Sequence, residues 1–335
     1  MKPKLLEFLA CPDCAASFSA DIQTREGEEI IEATLACSQC GKKFPVTGGI
    51  PRFVPQMKAE TAQTTEGFGF EWNTFNESIK SSNMSAEYLF LDFIVPVDRD
   101  FFRGKTVLDA GCGMGRFTML AAQWGAGEVV AVDLGPAVQA AYANTRALPN
   151  AHVLQADLCA LPLKYDFDYI FSVGVLHHLS NPRQGFLNLT RLLGNGGHLS
   201  AWVYSKEGNR WVERFITPLR KHVTSRLPKK VLLALSHALG AILFCVIKLI
   251  YTPVNRWRAL HWLRRVLFYN DYLYYLGSVG FRGVVSVVFD HLVPSLAVYV
   301  SREELEQWLG SAKLRCESLT MRTNNSWRLL ARAEK

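Results

Sequence analysis

The start of the sequence lacks the pattern of a secretory signal, and none is expected. That start, MKPKLLEFLACPDC, carries Glu7 inside its only apolar patch and has no small-residue cleavage site, so a cytoplasmic protein is expected. A disulfide framework is also missing: of eight cysteines in 335 residues, four form two C-x-x-C pairs and four are scattered, a pattern of metal binding in a reducing compartment. Acidic residues are scarce in one place. Between Lys206 and Arg265 there are 13 Lys and Arg against Glu207 and Glu213, a net +11, whereas the remainder holds 24 basic and 28 acidic residues. Nor is there a second long apolar run to accompany KKVLLALSHALGAILFCVIKLIY at 229–251. Its 17 uncharged residues from Val231 to Ile247 would cover about 25 Å as a helix, short of the ~30 Å of a bilayer core. A single crossing would leave the chain on the wrong side, so a full span is set aside. With 49% hydrophobic residues there is ample material for a buried core.

Within the first 56 residues, Cys11-Pro-Asp-Cys14 and Cys37-Ser-Gln-Cys40 are two knuckles whose two-residue gaps aim paired thiolates at one ion. Together they predict a four-cysteine structural zinc site with no ligand position left open. A redox dithiol, the competing reading, usually needs only one pair. The frame LLEFLACPDC followed by CSQCGKKFPVTGGIPRFV resembles the small zinc-ribbon family that activates tRNA, rRNA and protein methyltransferases.

KTVLDAGCGMGRF at 105–117 places a strand before a glycine-rich turn and a helical stretch, a nucleotide-binding arrangement in which glycine lets the backbone approach a ligand. The glycines fall at Gly111, Gly113 and Gly115 behind Asp109, unlike the G-x-G-x-x-G of dinucleotide sites. From about 104 to 205 the chain resembles class I S-adenosylmethionine (SAM) methyltransferases. The resemblance implies a Rossmann-like α/β fold with a seven-stranded sheet, an N-terminal four-cysteine zinc ribbon and a helical cap insertion. Strand-end residues follow in order: Asp133 with Leu134 for the ribose, Asp157 with Leu158 for the adenine, and Gly174 before the loop beside the methionine half. Asp168 reads instead as part of strand structure. Upstream, Phe68-x-x-x-Trp72 is similar to an aromatic segment that covers the cofactor in related enzymes; sealing the ribbon against the core is the competing role, and Trp72 is taken as a cofactor contact.

Methyl transfer mainly needs two reactants held in line, with a base only when the acceptor arrives protonated. His177 and His178 after the fourth strand are candidate bases, although shaping the loop is the plainer role. Asp290 and His291, in a segment leading to a helix that Ser301 and Glu304 start with a capping box, are a second acid–base pair, against the plainer reading of a loop hydrogen-bond network.

The organisation expected is a ribbon at 1–56, a linker and cofactor-covering segment at 57–103, the SAM-binding core at 104–205, a basic apolar cap at 206–299, and the last helix and strands at 300–335. On helical geometry Ala234, Ala238, Ala241 and Cys245 form a stripe suited to close packing, beside a large stripe of Leu235, Leu239, Ile242 and Val246. The function expected is SAM-dependent methylation of a small-molecule or lipid-associated substrate beneath the cap. Residues 229–251 would line the pocket or rest on a membrane surface, which would place the enzyme peripherally at the inner face. RNA methylation, with ribbon and basic insertion gripping RNA, is the first alternative, and a non-catalytic SAM-binding protein the second. Oligomeric state is left open.

Overall fold

The protein is described from a computed structural model covering residues 1–54, 59–80, 86–164 and 166–334, with the backbone alone for 73 and 75–80. The expected boundary between 56 and 57 lies outside the described residues. Eleven strands form one sheet in the order β1-β2-β3-β4-β7-β6-β5-β8-β9-β11-β10. They are β1 Phe18–Glu26, β2 Glu29–Cys37, β3 Lys43–Thr47, β4 Ile50–Phe53, β5 Thr106–Ala110, β6 Glu128–Asp133, β7 Ala151–Ala156, β8 Phe167–Val173, β9 Leu193–Tyr204, β10 Leu314–Arg322 and β11 Ser326–Ala333. The seven from β7 to β10 are the expected methyltransferase sheet. The count rises to eleven because β4, the last strand of the ribbon, pairs in parallel with β7 through Arg52–Gln155 and Phe53–Ala156. An edge that would otherwise expose unpaired backbone groups is thereby covered.

β5 to β8 are near-continuous apolar runs, as parallel strands buried on both faces must be. Asp168 is one of the exceptions: its carboxylate accepts from the Thr106 N–H at 2.8 Å, tying β8 to β5. The ribbon and the sheet share one core, in which Phe8, Leu9, Leu35 and Phe53 pack with Leu154, Leu158 and Phe167. Phe8 stacks on Phe167 with centroids 6.2 Å apart. Each such fully buried side chain contributes about 1.5–3 kcal/mol, so ribbon and core stabilise each other.

The helices are α1 Ala59–Lys80, α2 Ala86–Ile94, α3 Arg116–Gln123, α4 Val138–Thr145, α5 Pro182–Arg191, α6 Lys206–Trp211, α7 Thr217–His222, α8 Lys229–Val246, α9 Thr252–Arg256, α10 Asn270–Leu276, α11 Gly280–Leu292 and α12 Arg302–Ala312. Ser301 and Glu304 form the complete capping box at the start of α12. From α6 to α11 the chain forms the helical cap, and both its ends return to one sheet: Ser205 bridges Val300 in parallel, and Asn209 donates to the Asn325 carbonyl at 2.6 Å.

Two expectations for the cap change. α8 buries Leu232, Ser236 and Gly240, with Leu232 packed on Val285 and Phe289 of α11 and Val293 just after it, while Ile247, the residue following α8, packs on Leu276 and Val284. The alanine stripe faces outward, because close approach is supplied by Gly240: a Cβ there would sit 2.8 Å from a Val285 methyl. Ser236 remains buried because its hydroxyl donates to the Leu232 carbonyl at 2.8 Å. Second, Asp290 and His291 stand on the last turn of α11, a helix, which removes the competing reading of a loop network. A turn of wider pitch, Ile247–Tyr251, joins α8 to α9, giving a continuous helix Lys229–Arg256 of 28 residues. It is long and apolar enough to cross a membrane by length and composition, and 17% of its most apolar window is buried.

Candidate functional site

In an open α/β sheet the ligand crevice lies where the strand order reverses, here at the carboxyl ends of β5 and β8. A cavity of 380 Å³ opens there and runs from the glycine-rich turn under the cap. One end is lined by Gly111, Gly113, Asp133, Leu134, Asp157, Leu158, Gly174 and Trp72. Gly113 adopts φ +53°, and a Cβ on it would meet the Trp72 indole at 3.3 Å, so the ring lies directly over the turn. Asp133 accepts from the Gly113 N–H at 2.9 Å and the Gly135 N–H at 2.8 Å. Burial pushes its carboxyl up, and these main-chain donors pull it back. Asp157 accepts from the Cys159 N–H at 2.8 Å.

Two of the expected cofactor residues stand behind this lining. Asp109 is buried and accepts from the Thr118 hydroxyl at 2.6 Å, bracing the turn against α3; burial raises its carboxyl to about 7. Gly115, with φ +78°, starts α3, and a Cβ there would lie 3.1 Å from the Ala141 backbone. Sequence reasoning missed Arg116, Cys159 and Val175, which also line the cavity. Arg116 packs over Trp72 and Phe117 at 5.5 and 4.4 Å, and burial lowers its guanidinium to about 10. The donor set matches SAM: two strand-end carboxylates for hydroxyl and amino groups, backbone exposed at glycines, and an aromatic lid.

The other end is lined by His178, Tyr204, Asp290, His291, Tyr272 and Tyr299. The Tyr204 hydroxyl donates to Asp290 at 3.3 Å, and Tyr272 pairs with His291 Nε2 at 3.1 Å. His178 Nδ1 lies 2.7 Å from the Leu296 carbonyl, which can only accept, so Nδ1 carries the proton and Nε2 is the basic nitrogen. Burial lowers His178 to about 4, so it is neutral at working pH but a weak base. His177 is placed outside the lining: fully buried, neither ring nitrogen has a hydrogen-bond partner, and its ring lies 3.9 Å from that of Tyr204. It serves as a platform under Tyr204. Glu71 on α1 also reaches this chamber, accepting from Ser286 at 3.4 Å, with its carboxyl raised well above the usual range by burial and by Asp290. The tyrosines carry no local motif: Tyr204 ends β9, Tyr272 lies on α10 and Tyr299 comes just before α12.

Outside the lining of this cavity, the sulfurs of Cys11, Cys14, Cys37 and Cys40 all lie within 4.8 Å of one another, with Cys11–Cys40 at 3.7 Å and Cys14–Cys37 at 3.4 Å. Tetrahedral zinc with bonds of ~2.3 Å requires sulfur separations of about 3.8 Å, so the four thiolates fit that ion. Backbone N–H groups of Cys40 and Gln39 hold the Cys37 thiol below its usual range, favouring the thiolate.

Residues 108–201 match the family described as methyltransferase domain, and residues 2–49 match the Trm112p-like protein family. The chain thus carries a Trm112p-like zinc ribbon and a class I methyltransferase domain. Curated relatives include a tRNA U34 carboxymethyltransferase of Ectopseudomonas mendocina, 34% identical over 127 residues, which are 37% of this chain and 39% of the relative. Another, of the same name from a Shewanella species, is 38% identical over 101 residues, 28% of this chain and 30% of the relative. The aligned stretches therefore span less than half of either protein. Among solved structures, a SAM-dependent methyltransferase from Aquifex aeolicus is 15% identical at TM-score 0.42, covering 78% of this chain and 97% of its own. The Haloferax volcanii Trm112 methyltransferase activator in complex with a methyltransferase is 14% identical at TM-score 0.43, covering 84% and 100%. The relatives' names contradict one expectation, a small-molecule or lipid-associated substrate with membrane contact through 229–251 and RNA in second place: both relatives are named for tRNA.

Proposed function

We propose that this chain, in which a Trm112p-like ribbon and a methyltransferase domain share one sheet, is a cytoplasmic enzyme that methylates RNA, with tRNA as the RNA class. The observation that carries the proposal is the single cavity joining the glycine-turn cradle to a chamber with two hydrogen-bonded acid–base pairs, Tyr204–Asp290 and Tyr272–His291. The relatives' names support tRNA, and the +11 segment between Lys206 and Arg265 supplies cationic groups for a phosphate backbone.

Asp133 would hold the ribose hydroxyls of SAM and Asp157 its adenine, with the turn from Gly111 to Gly113 and Gly174 approaching the methionine half under the Trp72 lid. SAM supplies an activated methyl carbon, and the chain positions an acceptor in line with it. With SAM bound, an acceptor lone pair held in line would form the new bond to that carbon while the electrons of the broken carbon–sulfur bond stayed on sulfur. A proton leaving an acceptor O–H or N–H passes to Asp290, which Tyr204 holds in place. Asp290 is favoured for this step because it lines the chamber beside Tyr204, whereas His177 lies outside the lining.

The test is incubation with methyl-labelled SAM and fractionated cell extract. Label should enter the RNA fraction and co-migrate with tRNA; label confined to lipid, protein or small molecules overturns the RNA assignment. Asp290→Asn should lower kcat by about 10² or more with SAM affinity retained, and Tyr204→Phe by about tenfold. Wild-type turnover in Asp290→Asn removes the base assignment.

A further inference from the structure

Resting on the RNA reading, a second feature of the cap identifies the path the substrate takes. The chain from Lys206 to His222 is helical apart from a kink at Asn209, with a wide turn at Val212–Ile216. Lys206, Arg210 and Arg214 recur every four positions and are exposed; the adjoining row is Trp211, Phe215 and Leu219, exposed at 47, 57 and 46%. Among the described residues none of the three cations forms an ion pair. Cationic heads without ion pairs thus stand beside a row of exposed apolar side chains.

These rings are the outer end of a ladder that leads inward. Phe215 touches Trp211 with centroids 5.8 Å apart, Trp211 touches Phe268 at 5.3 Å, and Phe268 touches Tyr269 at 4.4 Å. Tyr269 meets Tyr272 at 6.2 Å, and Tyr272 hydrogen-bonds His291 in the acceptor chamber. The Tyr269 hydroxyl also donates to the carbonyl oxygen of the Asn209 side chain at 2.9 Å, and Asn209 lines the cavity. Surface and chamber are therefore joined by consecutive aromatic contacts.

We infer that the α6–α7 face, with Phe268, is the docking surface for the single-stranded RNA flanking the target nucleotide. Bases stack on Trp211, Phe215 and Phe268, phosphates pair with Lys206, Arg210 and Arg214, and the target base enters along Tyr269 and Tyr272. Two arguments select RNA as the occupant. A base in a duplex is inaccessible to a buried chamber, so the target must be unpaired or extruded, and its unpaired neighbours need stacking partners. A row of cations beside the Trp211, Phe215 and Phe268 rings also matches a strand in which charge and flat rings alternate at every nucleotide, and Arg can both stack and pair with phosphate.

The experiment compares wild type with Trp211→Ala/Phe215→Ala and Arg210→Ala/Arg214→Ala. Anisotropy of a fluorescein-labelled single-stranded RNA of about 12 nucleotides and of labelled bulk tRNA is read at several salt concentrations. SAM titration serves as the fold control. The aromatic variant should bind RNA about 10- to 100-fold more weakly with its salt dependence kept. The arginine variant should lose about one unit of salt slope per residue removed. Both should bind SAM like wild type. If wild type labels and binds RNA but both variants bind it unchanged, the docking surface is overturned while RNA methylation stands. If wild type neither binds nor labels RNA, the functional reading has failed and this inference with it. Flotation on phosphatidylserine vesicles that these variants abolish, with RNA affinity unaltered, overturns the inference in favour of a lipid-facing surface.

Discussion

Replacing Asp133 by alanine isolates the group on which the cofactor assignment turns. Its two oxygens accept from Gly113 and Gly135 at 2.9 and 2.8 Å while lining the cavity, so each retains lone-pair capacity for a ligand hydroxyl. Hydrogen bonds to a charged acceptor contribute about 1.5–3 kcal/mol each, so losing both ribose contacts should cost about 3–6 kcal/mol, a weakening of SAM binding by roughly 10² to 10⁴. The freed N–H groups face a cavity that water can enter, and the melting temperature should fall by only a few degrees. Asp133→Asn keeps one acceptor of the same shape and should fall between the two. Isothermal titration with SAM and with its demethylated product gives the affinities, and thermal melts without ligand report the fold. A folded Asp133→Ala protein whose Kd stays within about threefold of wild type would refute the placement of the ribose and the reasoning behind it.

Three further outcomes follow from the same geometry. Burial raises the Asp109 carboxyl to about 7 from the 3.8 of an exposed group, so the folded state binds the extra proton, and stability falls as pH rises from about 4 to 7. Asp109→Asn, which can still bond Thr118, should remove that slope: urea unfolding should match wild type near pH 4 and show the variant more stable at pH 8, and parallel curves would count against the buried charge. Purified protein should contain one zinc per chain, and chelation or Cys14→Ser should melt the ribbon, uncover the β7 edge and lower the melting temperature of the methyltransferase domain. Metal analysis with calorimetry checks this, and an unchanged transition after zinc removal would show that the two parts are energetically independent. Phe289→Ala should cost about 3–5 kcal/mol locally by emptying the centre of the α8–α11 contact, and limited proteolysis should then cut the cap first. Cleavage elsewhere before the cap would mean that this contact does not hold it.

Much of the cofactor end was legible because its chemistry is local. A C-x-x-C knuckle, a glycine turn after an apolar strand, a carboxylate at a strand end and a Ser–Glu capping box each act within a few residues, where backbone geometry follows directly from residue type. The acceptor end was legible only in fragments. Asp290 and His291 were marked as a pair, yet each bonds a tyrosine from elsewhere, Tyr204 from the end of β9 and Tyr272 from α10. His177 and His178 are equivalent in sequence, but the three-residue turn they share points one into the cavity wall and the other beneath it.

What the sequence determined by itself was the set of locally encoded parts: ribbon, turn, strands and the order in which they come. Only the tertiary structure decided how they join. Four ribbon strands became an extension of the main sheet because β4 found a free parallel edge at β7. The stripe of α8 that is buried was chosen by α11, whose Val285 fits against Gly240, and not by the helix's own hydrophobicity, which is high on nearly every face. Hydrogen-bonding and capping preferences act between neighbours in sequence. Burial is settled between surfaces that meet only after the chain has folded, and the acceptor chamber, the aromatic ladder and the shared core are all products of that second step.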